Sequence, residues 1–444
     1  MQEFEFLTAR HEIPTNQLIA YFAVLAIIYI LFLRVKRWDT LTSLILLMFI
    51  QGFFLAFGTW GMRIFKIVFT ALSFILVYQA RRYPLSKNDI RVVFLFSVFS
   101  VLYLISWFIN DGFSFSFAGR FYHYLIPFLL FIGIKNNSNF QKRGDYYARL
   151  VVTLLIFQII FSIAKIVILG IRENIIGSLG TTGGAISVTY ALMGLVIYWL
   201  YRGEKFTKDD WIFVLFLLVI PIASNKRGIW FMYPPLLGLL LIKNLDKKLL
   251  SKLVYLIILV PFLIYFGIRL NPSLNPDRVL WGSFDPMYTY DYVMQYTTGE
   301  GRNTRGLGYG RLGTNQTIYY NLLNDPLSRS HLLGYGDRTI KYDEEFDIVQ
   351  IGITEHTTIA GLGQSILGYG YIATLILVLL VLKMISSIRD PYNRFLLGFW
   401  FLFDFIIYTG GFIRVATHSF IFVFAIVYAS YRSRMRIQIN GKGF

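Results

Sequence analysis

Single arginines recur along the chain at places where an unbalanced positive charge is costly. Arg227 is the sharpest case, because it lies in a tight turn, 224–228, between two short hydrophobic segments. Arg120 and Arg414 stand at the ends of other hydrophobic segments, and Arg311 follows a glycine-rich stretch of a long polar segment. A charge buried at mid-membrane costs about 2.5–3.5 kcal/mol on insertion scales. Guanidinium groups bind phosphate through paired hydrogen bonds, so these arginines indicate either lipid phosphates or one shared anion.

His356 and Glu355 are the candidates for acid–base chemistry. They follow an acidic run at 343–347 and stand at the start of a hydrophobic segment. A histidine in the first turn of a helix feels the positive end of the helix dipole, which favours the neutral imidazole. A neutral imidazole accepts a proton and can act as a general base, with Glu355 as the reserve base. The same position also suits a capping or interfacial histidine, and the sequence leaves both interpretations open.

Metal and thiol chemistry have little support in the sequence. The acidic run 343–347 offers oxygen ligands that Mg or Mn would accept, but such runs in loops are more often solvated. We therefore predict no metal and no cofactor. The chain contains no cysteine, which excludes a thiolate nucleophile, a disulfide framework and an iron–sulfur cluster.

The elements that must position these residues are strongly apolar. The 444 residues are 56% hydrophobic and 15% charged, whereas soluble domains carry about 25% charged residues. The pattern predicts an all-α polytopic membrane protein with about 12–13 transmembrane helices. Pro221, Pro234 and Pro235 leave open whether 211–242 holds two spans or a re-entrant hairpin. The predicted segments are 15–33, 40–58, 64–80, 91–109, 117–134, 150–170, 183–201, 211–224, 229–242, 250–268, 357–382, 395–410 and 418–431.

Lysine and arginine cluster in alternate connections between these segments. Cytoplasmic connections carry the excess of basic residues, so the pattern places the N-terminus in the periplasm and the C-terminus in the cytoplasm. It also explains most of the net charge of +17 without a nucleic-acid partner. No cleavable signal peptide is expected, since the first apolar run follows glutamates rather than a basic stretch. The basic connections are 34–37, 81–91, 135–149, 202–208, 243–252, 383–394 and 432–442.

One connection, residues 269–356, is a long polar loop on the predicted outer face. Loops of this length are usually functional. Its amphipathic stretch Thr314–Leu323 predicts a short helix, and its glycine pairs, 308/310 and 334/336, predict turns. The sequence thus predicts three parts. Residues 1–268 form transmembrane helices 1–10, residues 269–356 form a folded periplasmic cap, and residues 357–444 form transmembrane helices 11–13 and a cytoplasmic tail.

Three motifs stand in a recognisable order. A Ser/Asn–basic–Gly turn with a following Trp occupies 224–230, a Gly-Arg element and a later Pro-Leu…Gly-x-Gly occupy 310–336, and His356 precedes the glycine pair of 368–370. Over roughly 183–385 this order resembles the bacterial O-antigen ligase and O-antigen polymerase family of membrane glycosyltransferases. Two departures stand out: Thr357 replaces the Asn or Ser that often follows the histidine, and the glycine pair is one position off the common spacing.

The resemblance implies a GT-C-like fold and a metal-independent glycosyltransferase of the bacterial inner membrane. Such enzymes transfer a glycan from a polyprenyl-diphosphate carrier to an acceptor sugar hydroxyl at the periplasmic face. Arg227 and Arg311, with Arg120 and Arg414 in second rank, would bind the donor diphosphate, and His356 would activate the acceptor. The His-Thr element favours a polymerase of O-antigen or capsular repeat units, with a chain-length regulator as a possible partner. The alternative within the family is a ligase that joins the glycan to lipid A core.

A transporter is the alternative from a different class. A flippase for lipid-linked oligosaccharides would also place arginines near a diphosphate. Transporters usually show internal repeats and helices broken at mid-membrane. The sequence shows no convincing repeat, and an outer loop of this size suits chemistry at the membrane surface better than transport.

Overall fold

The structure is a computed structural model, and its regular elements are helices. It describes residues 15–32, 38–81, 84–111, 116–169, 177–179, 186–223, 226, 228–243, 261–262, 264–279, 281–298, 311–336, 359–408 and 410–440. Within these ranges no strand occurs, so the all-α prediction is confirmed there. The helices are α1 (Thr15–Phe32), α2 (Thr40–Phe49), α3 (Gln51–Ala56), α4 (Gly58–Ala80), α5 (Lys87–Asp111), α6 (Ser116–Lys135), α7 (Ser138–Leu169), α8 (Ile186–Tyr201), α9 (Asp210–Phe216), α10 (Val219–Ala223), α11 (Gly228–Ile242), α12 (Pro286–Thr298), α13 (Arg311–Asn324), α14 (Arg329–Leu333), α15 (Gly361–Ile385), α16 (Pro391–Ile406), α17 (Gly411–Arg414) and α18 (Ala416–Asn440).

Among the described residues, four helices are long and apolar enough to cross a membrane, which is consistent with a membrane protein. They are Gly58–Ala80, Lys87–Asn110, Ser138–Lys165 and Gly361–Ile385. The other apolar helices cover 10–17 described residues each, fewer than the roughly 20 that an untilted span requires. The predicted number of about 12–13 spans and the predicted orientation therefore stay predictions.

Breaks in the helices explain why several predicted spans are short. The segment 40–58 bends at Ile50, where α2 ends and α3 begins. The predicted segment 211–224 is interrupted between α9 and α10, so it is not one continuous helix. The predicted segment 229–242 corresponds to α11, which continues through Pro234 and Pro235.

Local capping accounts for two helix starts. The Asp39 carboxylate accepts a hydrogen bond from the Thr42 amide (2.8 Å) at the start of α2. The Asp390 carboxylate accepts from the Tyr392 and Asn393 amides (2.8 and 3.1 Å), with Pro391 in the first turn of α16. Aspartate satisfies backbone N–H groups that have no partner inside the helix, and proline fits the first turn because it lacks that N–H.

The chain forms two compact units, each assembled from segments distant in sequence. Unit 1 comprises residues 1–83, 129–288 and 417–444, and unit 2 comprises 84–128 and 289–416. The predicted division into 1–268, 269–356 and 357–444 follows sequence order and topology, and it stays a prediction.

Unit 1 contains a buried polar contact beside the bend at Ile50. The Gln158 side-chain Nε2 donates to the Ser178 hydroxyl (2.7 Å), and the Ser178 backbone amide donates to Gln158 Oε1 (2.9 Å). The Gly52 amide donates to the Ser178 carbonyl (2.9 Å). These bonds hold residues 177–179 against α7 and α3.

Candidate functional site

The helix α15 is the element on which the site of unit 2 is built. It is kinked at Gly370, which has φ 85° and ψ 166°. Only glycine adopts such angles readily, because it lacks a Cβ. A Cβ at Gly370 would overlap the backbone carbonyl of Leu332, so the glycine also permits a close approach of α14.

Two Gly-Tyr-Gly segments meet backbone to backbone at this kink. One begins at Gly334 and the other at Gly368. The Tyr335 amide donates to the Leu367 carbonyl (2.6 Å), and the Gly336 amide donates to the Gly368 carbonyl (3.2 Å). The structure therefore brings together the two glycine pairs on which part of the family resemblance rests.

The segment 334–336, which follows α14, also requires glycine at this contact. Gly334 has φ 74° and Gly336 has φ 92°, which confirms the predicted turn at this pair. A Cβ at Gly334 would lie 2.5 Å from the Tyr369 amide nitrogen. The predicted turn at Gly308 and Gly310 lies outside the described residues.

Polar side chains of α5 bind the backbone at the end of α14, at Leu333 and Gly334. The Asn110 amide donates to the Gly334 carbonyl (3.1 Å), and the Ser106 hydroxyl donates to the Leu333 carbonyl. Ser106 and Asn110 are one helical turn apart and lie on one face of α5. They satisfy backbone carbonyls that α14 leaves open at its C-terminal end.

Aromatic rings enclose Tyr369, the central residue of the second segment. Its ring centre lies 5.6 Å from those of Phe99 and Tyr103 and 5.7 Å from that of Tyr124. These distances fit edge-to-face and tilted aromatic packing. Helices α5, α6 and α15 therefore share one aromatic core.

The helix α13 packs along the first half of α15. It contains the predicted helix Thr314–Leu323 and begins at Arg311. Its Ile318 packs with Ile366 and Leu367, and the Asn315 amide donates to the Ile406 carbonyl at the end of α16 (2.7 Å). The segment bearing Arg311 is thus fixed to both α15 and α16.

A short turn, α17, is held at the start of α15. The Asp404 carboxylate of α16 accepts from the Phe412 amide (3.3 Å), and the Gly410 amide donates to the Asp404 carbonyl (2.9 Å). Gly361, the first residue of α15, lies against Gly410 so closely that neither position has room for a side chain. The turn that ends at Arg414 therefore adjoins the start of α15.

Two buried oxygens beside this junction lack a hydrogen-bond partner among the described residues. They are Asn315 Oδ1 and Ser365 Oγ, and the two residues are 4% and 0% exposed. A buried polar atom without a partner costs about 1–3 kcal/mol. The start of α15 therefore offers unused hydrogen-bonding capacity.

Burial also affects Tyr319 on α13. It packs against the cluster of Ile318, Ile366 and Leu367, and burial raises the pKa of its hydroxyl. The phenol therefore keeps its O–H as a donor to a higher pH than an exposed tyrosine does.

The structure places the predicted residues only in part. Arg120 lies within α6, Arg311 begins α13 and Arg414 ends α17, all in unit 2, but their side chains lie outside the described residues. Arg227, Glu355 and His356 lie outside the described residues entirely. The structure therefore brings the helices of Arg311 and Arg414 to the start of α15, and the convergence of all six side chains stays a prediction.

Sequence reasoning did not single out Asn315, Ser365 or Asp404. One signal was present, because Asp404 is an acid inside a predicted hydrophobic segment, and such residues mark functional or packed positions. The pair Ser106 and Asn110 gave a similar signal at the end of an apolar span. Asn315 gave none, since an asparagine in a polar loop is ordinary.

The described residues contain no cluster of three or more His, Cys, Asp or Glu that could hold a metal ion. The acidic run 343–347, which carried the metal-dependent alternative, lies outside those residues.

No family model, curated protein or solved structure matches the chain. The fold is consistent with one class, a helical membrane protein, and the described residues contain four candidate spans. Membership of the O-antigen ligase and polymerase family stays a prediction from the sequence motifs.

Proposed function

We propose that the chain is a metal-independent glycosyltransferase of the bacterial inner membrane. It polymerises O-antigen or capsular repeat units from a polyprenyl-diphosphate-linked oligosaccharide at the periplasmic face. One observation supports this most directly: the contact between the Gly334 and Gly368 segments fixes the loop that bears Arg311 onto α15. Fixed positioning of reacting groups is the main structural requirement of catalysis without a cofactor.

The chemistry needs an anion site and a base. The acceptor hydroxyl attacks the anomeric carbon of the donor, the bond from that carbon to the diphosphate oxygen breaks, and the lipid diphosphate leaves. His356 takes the hydroxyl proton, with Glu355 in reserve. Arg227 and Arg311, aided by Arg120 and Arg414, neutralise the negative charge that develops on the diphosphate.

The energetic demand on the arginines is moderate. A hydrogen bond to a charged group contributes about 1.5–3 kcal/mol. Two or three bonds that strengthen in the transition state would raise the rate by several orders of magnitude.

The test is chain extension by purified protein in nanodiscs supplied with lipid-linked repeat units. Arg311→Ala and His356→Ala should each lower the rate at least about 100-fold, because each removes an interaction made in the transition state. Arg389→Ala, at an exposed arginine on a predicted cytoplasmic connection, is the matched control and should keep full activity. Well-folded Arg311→Ala and His356→Ala variants with normal rates would refute the assignment.

The product distinguishes the remaining functions. A ladder of lengthening glycans on the lipid carrier identifies a polymerase, and glycan attached to lipid A core identifies a ligase. Movement of the carrier across liposomes without a new glycosidic bond identifies a flippase.

A further inference from the structure

The helix α13 is apolar on two opposite sides. One side packs Ile318 against α15. The other side exposes Tyr320 (69%) and Leu323 (78%), and Leu327 (77%) follows in the next turn of chain. A contiguous exposed apolar face is uncommon on a surface that meets only water and generally marks an interaction site.

This face adjoins the end of a candidate span in the same unit. The Arg329 guanidinium donates to the Ile109 carbonyl at the last turn of α5 (3.3 Å), and Asn110 binds the carbonyl of Gly334 (3.1 Å). The segment that contains Leu327 therefore lies beside the end of α5.

Helix α5 itself has an exposed apolar side. Only 28% of its hydrophobic window is buried. Phe94, Val101, Phe108 and Ile109 are among its exposed residues. In a membrane protein such a surface faces lipid.

We propose that the segment 320–329 is an anchor in the membrane interface and that its partner is the bilayer itself. Tyr320, Leu323 and Leu327 enter the boundary between headgroups and acyl chains, beside the end of the lipid-facing helix α5. Tyrosine is enriched at this depth. Exposed Arg329 uses one N–H group on Ile109, and its other N–H groups, which have no hydrogen-bond partner among the described residues, can bind a lipid phosphate.

The anchor has a consequence for the proposed function, and this consequence alone rests on that function. It would keep α13, which begins at Arg311, at the level of the headgroups. The diphosphate of a lipid-linked glycan lies at the same level.

The absence of cysteine makes the test direct. Leu323→Cys and Leu327→Cys, each carrying a nitroxide label, are reconstituted in nanodiscs. Collision rates with oxygen, which enters lipid, are compared with those for a water-soluble nickel chelate. Phe94→Cys serves as the lipid reference and Lys208→Cys, at an exposed turn, as the water reference.

The anchor predicts oxygen-to-nickel ratios at Leu323 and Leu327 several-fold above the ratio at Lys208. Ratios equal to that at Lys208 would place the face in water and overturn the proposal. Protection from both reagents would indicate a protein partner, such as a second copy, and would also overturn it.

The outcome is independent of catalysis. Labels that report water, together with loss of chain extension in Arg311→Ala, would refute the anchor and leave the glycosyltransferase proposal standing. Labels that report lipid, together with full activity of Arg311→Ala and His356→Ala, would support the anchor and refute the enzyme assignment.

Discussion

In unit 2, the contact between α14 and α15 requires that residue 370 be a glycine, which has no side chain. Its φ of 85° is unfavourable for other residues, and the carbonyl of Leu332 occupies the place where a Cβ would lie. The glycine therefore serves both the kink of α15 and the contact with α14.

We expect Gly370→Ala to lower the free energy of unfolding by about 2–3 kcal/mol, through backbone strain and overlap with Leu332. The measurement is the thermal midpoint of the purified protein, together with its chain-extension rate. Gly398→Ala is the matched control, because nothing lies within 4 Å of a Cβ at that position in α16. The control should be unchanged or slightly more stable; equal midpoints for the two variants would contradict the role of Gly370.

At the scale of elements, charged contacts in unit 1 fasten the helix α18. Buried Glu204 accepts a hydrogen bond from Arg436 of α18 (2.8 Å) and forms an ion pair with Lys243 (2.5 Å). The Arg436 guanidinium also donates to the Gly203 carbonyl (3.1 Å). One carboxylate thus joins α18, the end of α11 and the turn after α8.

A second carboxylate stabilises the same turn. Asp210 accepts from the Tyr198 hydroxyl (2.5 Å) and the Thr207 amide (2.6 Å), and it pairs with Arg202 (2.7 Å). Burial opposes the charge of Asp210, but these bonds outweigh it and lower the pKa of the carboxyl below its usual value. Its stabilising effect is therefore present at neutral pH and is lost as the pH falls through the lowered pKa.

We expect Glu204→Gln to reduce the free energy of unfolding by about 2 kcal/mol, because Lys243 and Arg436 lose the negative charge between them. The thermal midpoint at neutral pH measures the effect. Asp209→Asn is the control, since Asp209 is exposed and makes no side-chain cap bond to α9. If both variants unfold at the same temperature, the prediction that Glu204 stabilises the position of α18 is wrong.

At the scale of the whole molecule, the proposed reaction uses protein cations where other transferases use metal ions. Arginine carries its charge at every physiological pH and binds phosphate in a fixed geometry. The activity should therefore not depend on divalent metal.

We expect chain extension to keep its rate after exhaustive treatment with EDTA, and added Mg²⁺ or Mn²⁺ should not increase it. The measurement is the rate of product formation before and after chelation. Loss of activity with EDTA and recovery with Mn²⁺ would instead assign a metal site, with the acidic run 343–347 as the first candidate.

The sequence by itself determined the helical class and most helix positions, because long apolar segments leave a chain in lipid no alternative to satisfying its backbone within helices. It also determined the turn at Gly334 and the helix beginning at Arg311, since glycine and amphipathic patterns act locally. Only the tertiary structure decided that the two Gly-Tyr-Gly segments meet, that Asn315 joins α13 to α16, and that Asp404 holds α17. These contacts link residues far apart in the chain, and their geometry depends on packing that no local pattern encodes.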